Sequence, residues 1–278
     1  MLKEFREERL IWNRFHKTAE KQLLPLFRKA IMQSIQPVMT YAELEGTDNI
    51  PVEQLINSNV WQSVYQRAYE ITGMKMAKSE YYRQRKNEPT ATKASAIDFL
   101  VDVWSGKLKD YALQYVYQIQ RELNDTTVEM IRRALGDVAD LDMDREGRVR
   151  LFLKGLGQRA KMRAGTISRT ETSRIANLGK NIAAVSWIET QGGQSYKVWL
   201  GRNDKNERRA HLEENDTIIE MENTFDLDGH LCQRPGDFSL PANQVINCRC
   251  TCSFMSINRY NRYQKLGRIV NGKLVGAS

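Results

Sequence analysis

Along the first 38 residues, apolar side chains recur at spacings of three and four: Trp12, Phe15, Ala19, Leu23, Leu26, Ala30, Ile31, Ile35 and Val38. That period marks one face of an α-helix. Pro25 and Pro37 fall inside the run and are expected to kink or divide it. GTDNIP at 46–51 reads as a break. A second amphipathic helix is expected over 52–85, with Leu55, Ile56, Trp61, Val64, Tyr65, Ala68, Tyr69 and Ile71 on its face. Glu88-Pro89-Thr90 is the next break, and a third helix fits 92–123, weakened by Gly106. Thr126 and Glu129 have capping-box spacing, which opens a short helix through Leu135.

GDVADLDMDREG at 136–147 reads as a junction. Its acids invite comparison with a calcium loop opened by Asp137. Such a loop needs glycine at position 6 and glutamate at position 12, where this chain has Asp142 and Arg148. A polar linker is the better reading. Beyond it the pattern changes. A basic stretch with Gly155 and Gly157 precedes a helix over 168–190, with Ile175, Leu178, Ile182 and Val185 on one face and Gly192-Gly193 as its stop. A strand is expected at 196–200, a short helix at 204–213, and strands at 217–221 and 245–254. The fold class is therefore α+β: a mainly helical N-terminal half of long amphipathic helices, then a small α+β C-terminal domain with a short β-sheet. The expected boundaries are a helical docking region at 1–140, the α+β domain at 141–256 and a basic tail at 257–278.

Composition narrows the function classes. Of 278 residues, 41% are hydrophobic and 27% charged, enough for a core and too polar for a membrane protein. No apolar run approaches the ~20 residues of a bilayer span. The charged start, MLKEFREERLIW, lacks the apolar segment of a signal peptide. A reducing compartment is expected, where four cysteines favour free thiols or a metal over disulfides. The net charge of +8 is segregated. Residues 145–174 carry nine basic and two acidic side chains, whereas 202–228 carry four and nine. A solvated helix surface is the plainer reading of the basic stretch, and salt-sensitive, non-specific contact with nucleic-acid phosphate is the other. The residues for it are Arg145, Arg148, Arg150, Lys154, Arg159, Lys161 and Arg163.

VINCRCTCSF holds three of the four cysteines at alternate positions. On a strand, Cys248, Cys250 and Cys252 share one face, and neighbours lie ~6.6 Å apart at Cα. That is the outer edge of disulfide geometry. Thiolates and imidazoles are natural zinc ligands, and the available set is His211, His230, Cys232, Cys248, Cys250 and Cys252. Against this, C-x-C on a flat strand aims two sulfurs poorly at one ion. Buried, hydrophobe-like cysteines are the other reading. Both readings stand at this point. Catalytic signatures are missing: there is no H-E-x-x-H, no phosphate loop, and no complete zinc-deaminase pair. Asp204 and Arg208, at i and i+4 with His211 a turn further on, read as a structural row on one helix. Arg249 is expected to meet Glu171 or Asp237, and Asn247 to hold a turn into the cysteine strand.

Three segments then occur in a familiar order. SRTETSRIANLGK (168–180), YKVWLGRNDKNERRAH (196–211) and RPGDFSLPANQVINCRCT (234–251) together resemble the phage Mu F-like, or SPP1 gene 7-like, head morphogenesis family. The resemblance covers about 145–254. It rests on Arg169, Glu171, Trp199, Asp204, Arg208, His211, Pro235, Gly236, Asp237, Asn247 and Arg249. Many members have glycine soon after the histidine, where this chain has Asn215 and Asp216, residues that tolerate left-handed backbone. Cys252 extends the motif by one cysteine. The resemblance implies a minor capsid protein of a tailed bacteriophage that acts with the portal in procapsid assembly and in handling or delivery of packaged DNA. The implied partners are the portal protein, scaffold or major capsid protein, and double-stranded DNA. The implied place is the capsid interior near the portal, reached from the host cytoplasm. No catalysis is implied. Two other readings are a capsid-carried, metal- or thiol-dependent nuclease or hydrolase acting on entry, and a DNA-binding protein stabilised by zinc.

Overall fold

The structure, a computed structural model, describes residues 3–87, 96–191 and 194–275. Its helical part comprises α1 (Lys3–Glu45), α2 (Val52–Leu55), α3 (Val60–Ala68), a π turn (Tyr69–Gly73), α4 (Met74–Asn87), α5 (Ala96–Ala139) and α6 (Arg145–Gln191). The remainder comprises β1 (Ser195–Leu200), α7 (Arg209–Glu213), β2 (Ile218–Glu220), β3 (Phe225–Leu227), β4 (His230–Cys232), α8 (Ala242–Val245), β5 (Thr251–Ser256), α9 (Ile257–Lys265), β6 (Ile269–Val270) and β7 (Lys273–Leu274). This is the expected α+β class. Among the described residues, no helix is long and apolar enough to cross a membrane.

Several expected boundaries move. The first helix runs through both prolines. Lys21 and Gln33, whose carbonyls lose their i+4 donors, are exposed and can be hydrated. The expected 52–85 helix is instead broken at 56–59, where Asn57 Oδ1 accepts from the Asn59 amide at 3.1 Å, and from Val60 to Asn87 it runs on through one π turn. The capping box at Thr126 is not used. Thr126 lies inside α5 and donates to the Glu122 carbonyl at 2.6 Å, so the helix continues to Ala139. The basic stretch and the 168–190 helix are one helix, α6. The break at 88–90, the start of the third helix at 92 and the Gly192-Gly193 stop lie outside the described residues. Sequence reading missed the β3–β4 hairpin, and it missed α9 and the β6–β7 hairpin inside the basic tail.

The chain forms two compact units that interleave along the sequence. One holds the described residues of Gln22–Arg67 and Asp110–Ser168. Phe27, Tyr65 and Tyr115 meet edge to face inside it, with ring centroids 5.3 and 5.6 Å apart.

The other unit holds the described residues of Met1–Lys21, Ala68–Lys109 and Arg169–Ser278. Its antiparallel sheet has the order β2-β1-β5, with Trp199 opposite Cys252 and Lys197 opposite Phe254. Alternation sorts the side chains into two cores. Tyr196, Val198, Leu200, Ile218 and Met255 pack with Phe5, Tyr263 and Leu274. Trp199, Cys252 and Phe254 pack with Phe225, Leu227, Cys232, Cys248 and Cys250. β5 has an open edge, and side chains of α4 and α6 cover it in place of a further strand.

Candidate metal centre

The cysteine run is not a continuous strand. α8 ends at Val245, Asn247 turns the chain at φ +59°, and β5 begins only at Thr251. Cys248 and Cys250 therefore lie in a loop, while Cys252 lies in the sheet. Freed from strand geometry, the two loop sulfurs converge on His211. Nδ1 is 3.5 Å from Cys248 Sγ and 3.4 Å from Cys250 Sγ. The ligand atoms of these three residues lie within 4.8 Å of one another, and all three residues are at most 3% exposed. A tetrahedral zinc with bonds of ~2.0–2.1 Å to nitrogen and ~2.3 Å to sulfur places N and S ~3.5 Å apart. This buried group can hold a metal ion.

Its surroundings set the imidazole. His211 Nε2 lies 3.0 Å from Gln244 Oε1, an acceptor, so Nε2 donates and Nδ1 faces the sulfurs. Trp199 stands edge-on to the ring at 5.5 Å. The hydrogen bond from the Cys250 thiol, against burial and with the hydrogen bond and charge of His211, holds the Cys248 thiol well below its ordinary range. Cys250 is pushed the other way by Cys248 and by burial. Burial opposes a charged His211, yet the hydrogen bond and charge of Cys248 outweigh it and raise its pKa.

The remaining metal candidates stand apart. His230 is exposed on β4. Cys232 is buried opposite Phe225, its pKa raised by burial. Cys252 is buried opposite Trp199, and burial pushes its thiol up to about 12. These two are the hydrophobe-like cysteines of the second reading.

α6 holds the loop through a ladder of polar side chains. The Asn247 amide donates to Thr170 Oγ1 at 3.0 Å, and Arg169 Nε donates to Asn247 Oδ1 at 2.9 Å. Ser173 donates to the Cys248 carbonyl, Asn177 to that of Cys250 at 2.9 Å, and Lys180 to that of Cys252 at 2.6 Å. Residues at i, i+4 and i+7 of a helix share a face, and strand-like carbonyls two apart share an edge. The two rows therefore match rung for rung. Gln84 of α4 adds a rung to Phe254 O at 3.1 Å, and Trp12 Nε1 donates to Arg249 O at 2.7 Å. Beneath the ladder, Glu8 pairs with Lys180 at 2.8 Å and Arg83 at 3.3 Å and accepts from Ser253 at 2.6 Å. Burial opposes ionisation of Glu8, but Arg83 and Lys180 hold its carboxyl down at about 2.

Other motif residues serve the same packing. Gly236, at φ +74°, lets the P-G-D turn lie against α6: a Cβ there would stand 2.9 Å from Arg174 Cα. Asp237 closes that turn by accepting the Gln233 amide at 3.0 Å, and Pro235 is buried within it. Glu171 pairs with Arg174 at 3.4 Å. The expected Asp204–Arg208–His211 helical row is corrected, because α7 starts only at Arg209. Arg208 instead donates to Ile246 O at 2.5 Å, and Asp204 pairs with Arg202. Arg249 lies 3.9 Å from Glu20, and among its resolved pairings neither Glu171 nor Asp237 occurs. Asp216 adopts φ +63°, the left-handed turn expected after the histidine.

The basic residues of α6 divide. Arg163 turns inward, donating to Thr127 Oγ1 at 2.7 Å and Leu123 O at 2.8 Å, and burial lowers its pKa to about 10. Arg145 binds Leu44 O, Arg148 lies 3.9 Å from Asp48, and Arg159 pairs with Asp137. Arg150, Lys154 and Lys161 are exposed. At i, i+4 and i+11 they fall on one face.

Sequence reading missed Ser173, Asn177, Lys180, Gln244 and Glu8. The signal for the first three was present: polar residues at i, i+4 and i+7 in a helix stretch that is buried all round from 171 to 180. No protein-family model, curated protein or solved structure matches this chain.

Proposed function

We propose that this chain is a structural, non-catalytic minor head protein of a tailed bacteriophage, acting with the portal in head assembly and contacting packaged DNA, and that zinc closes its C-terminal module. The reading starts from the resemblance of residues 145–254. The observation that carries it is the ladder. The R-T-E-T helix and the N-C-R-C loop, far apart in sequence, are bound to each other through Thr170, Ser173 and Asn177, and Lys180 extends the row into β5. Their polar groups are consumed in holding the fold. A thiol beside an imidazole is also the start of a thiol nucleophile. Here its burial argues for a structural role, since a substrate must reach the sulfur. Zinc is the ion that the donor set favours, with two thiolates, one imidazole, and an orienting acceptor on the far ring nitrogen.

Arg150, Lys154 and Lys161 are the residues we assign to DNA phosphate. Co-expression with the portal of the same phage is the direct test. Co-purification supports the assembly role. Separate elution of the two proteins, each folded, contradicts it.

A further inference from the structure

Three protein ligands leave one side of a tetrahedral ion uncovered. We infer that Glu207 covers it as the fourth ligand, making a zinc site of two cysteines, one histidine and one glutamate; this rests on the zinc reading above. Glu207 Oε1 lies 3.7 Å from Cys250 Sγ, close to the ~3.5 Å edge between sulfur and oxygen ligands on one zinc. The carboxylate is aimed by the backbone. Oε1 accepts the Arg202 amide at 3.1 Å and Oε2 accepts the Asn203 amide at 2.6 Å. Gly201 makes the room: a Cβ there would collide with Oε1 and stand 2.8 Å from Glu207 Cδ. Asn203, at φ +59°, bends the loop back to bring the amides round. Glu207 is not among the three residues whose ligand atoms lie within 4.8 Å of one another, so ligation requires its carboxylate to shift toward the ion. The ligands then come from two loops, 201–207 and 247–250, and from α7. One ion ties together three segments with little regular structure between them.

Glutamine keeps one oxygen for the loop amides but is a poor zinc ligand. Glu207→Gln therefore removes the metal ligand while keeping one of the two amide contacts. Zinc affinity is measured by competition with a chromophoric chelator, and the cobalt-substituted protein is followed by visible absorption. The expected result is a fall in affinity of about 10–100-fold, with a shifted cobalt spectrum. Gly201→Ala, which displaces the same carboxylate, should weaken binding similarly and add little in the Glu207→Gln background. Wild-type affinity and an unchanged cobalt spectrum in Glu207→Gln overturn the inference and leave the zinc reading intact. Failure of the wild-type protein to take up zinc overturns both.

Discussion

Gly179 sits where α6 crosses the π turn of Tyr69–Gly73. A Cβ at 179 would stand 3.0 Å from the Gly73 carbonyl carbon and 3.1 Å from its Cα, with the carbonyl oxygen closer still. All three atoms are backbone, so no side chain can swing away. Leu108 fills the space behind Gly73, its Cδ2 2.7 Å from where a Cβ on that glycine would lie. Gly179→Ala must therefore push α6 off the turn. Alanine in a helix interior gains ~1 kcal/mol over glycine. Overpacking of this kind costs ~1–3 kcal/mol. Residue 179 also lies between Asn177 and Lys180, so the shift stretches two rungs of the ladder at ~1 kcal/mol or more each. The expected net loss is about 2 kcal/mol, read as a lower urea midpoint with an unchanged slope. Gly155→Ala and Gly157→Ala on the same helix are the controls. Nothing lies within 4 Å of either Cβ position, so each should gain up to ~1 kcal/mol. If Gly179→Ala proves as stable as these controls, the packing argument for α6 is wrong.

Lys180→Met leaves buried Glu8 with Arg83 as its one remaining cation beside the Ser253 hydroxyl, and removes the donor to Cys252 O. It should cost ~3–5 kcal/mol by chemical denaturation, and Lys180→Met with Glu8→Gln together should cost less than the sum of the two. Burial, then the charge of Arg249, lowers the His16 pKa from 6.5 to about 4, so the folded protein keeps this ring neutral. Its contribution is present above pH 6.5 and is lost as pH falls toward 4, ~3 kcal/mol in all. His16→Gln should flatten stability in that window relative to wild type, and parallel curves would contradict the assignment. Glu8 acts lower, its contribution present above pH 4.5 and lost toward pH 2. Replacing Arg150, Lys154 and Lys161 by alanine should weaken duplex DNA binding and reduce the salt slope by about 2–3. Unaltered anisotropy titrations would remove this face from the DNA contact.

The regular parts of the fold were legible because their signals are local. Helical periodicity located α1, most of α5 in two pieces and the second half of α6, and strand propensity located β1. The prolines misled because their lost hydrogen bonds fall on exposed carbonyls. The Thr126 capping box misled because a threonine inside a helix satisfies itself on the preceding turn. The metal group was legible in its members but not in its geometry. A flat strand set Cys248, Cys250 and Cys252 together, whereas one left-handed residue, Asn247, moved two of them into a loop and left the third in the sheet. His230 and Cys232 share the same spacing yet sit on a hairpin, one facing solvent and one facing the core. Gln244 and Glu207 had no signal of their own. Their roles exist only once the loops are folded around His211.

The most direct test of the central claim is elemental analysis, with a free-thiol count, on protein purified without chelator. The account predicts about one zinc per chain, with two thiols that become reactive only when the metal is stripped. Folded protein without metal, in which Cys248 and Cys250 react as readily before chelator treatment as after it, would contradict the metal centre and leave His211 as packing beside two buried thiols.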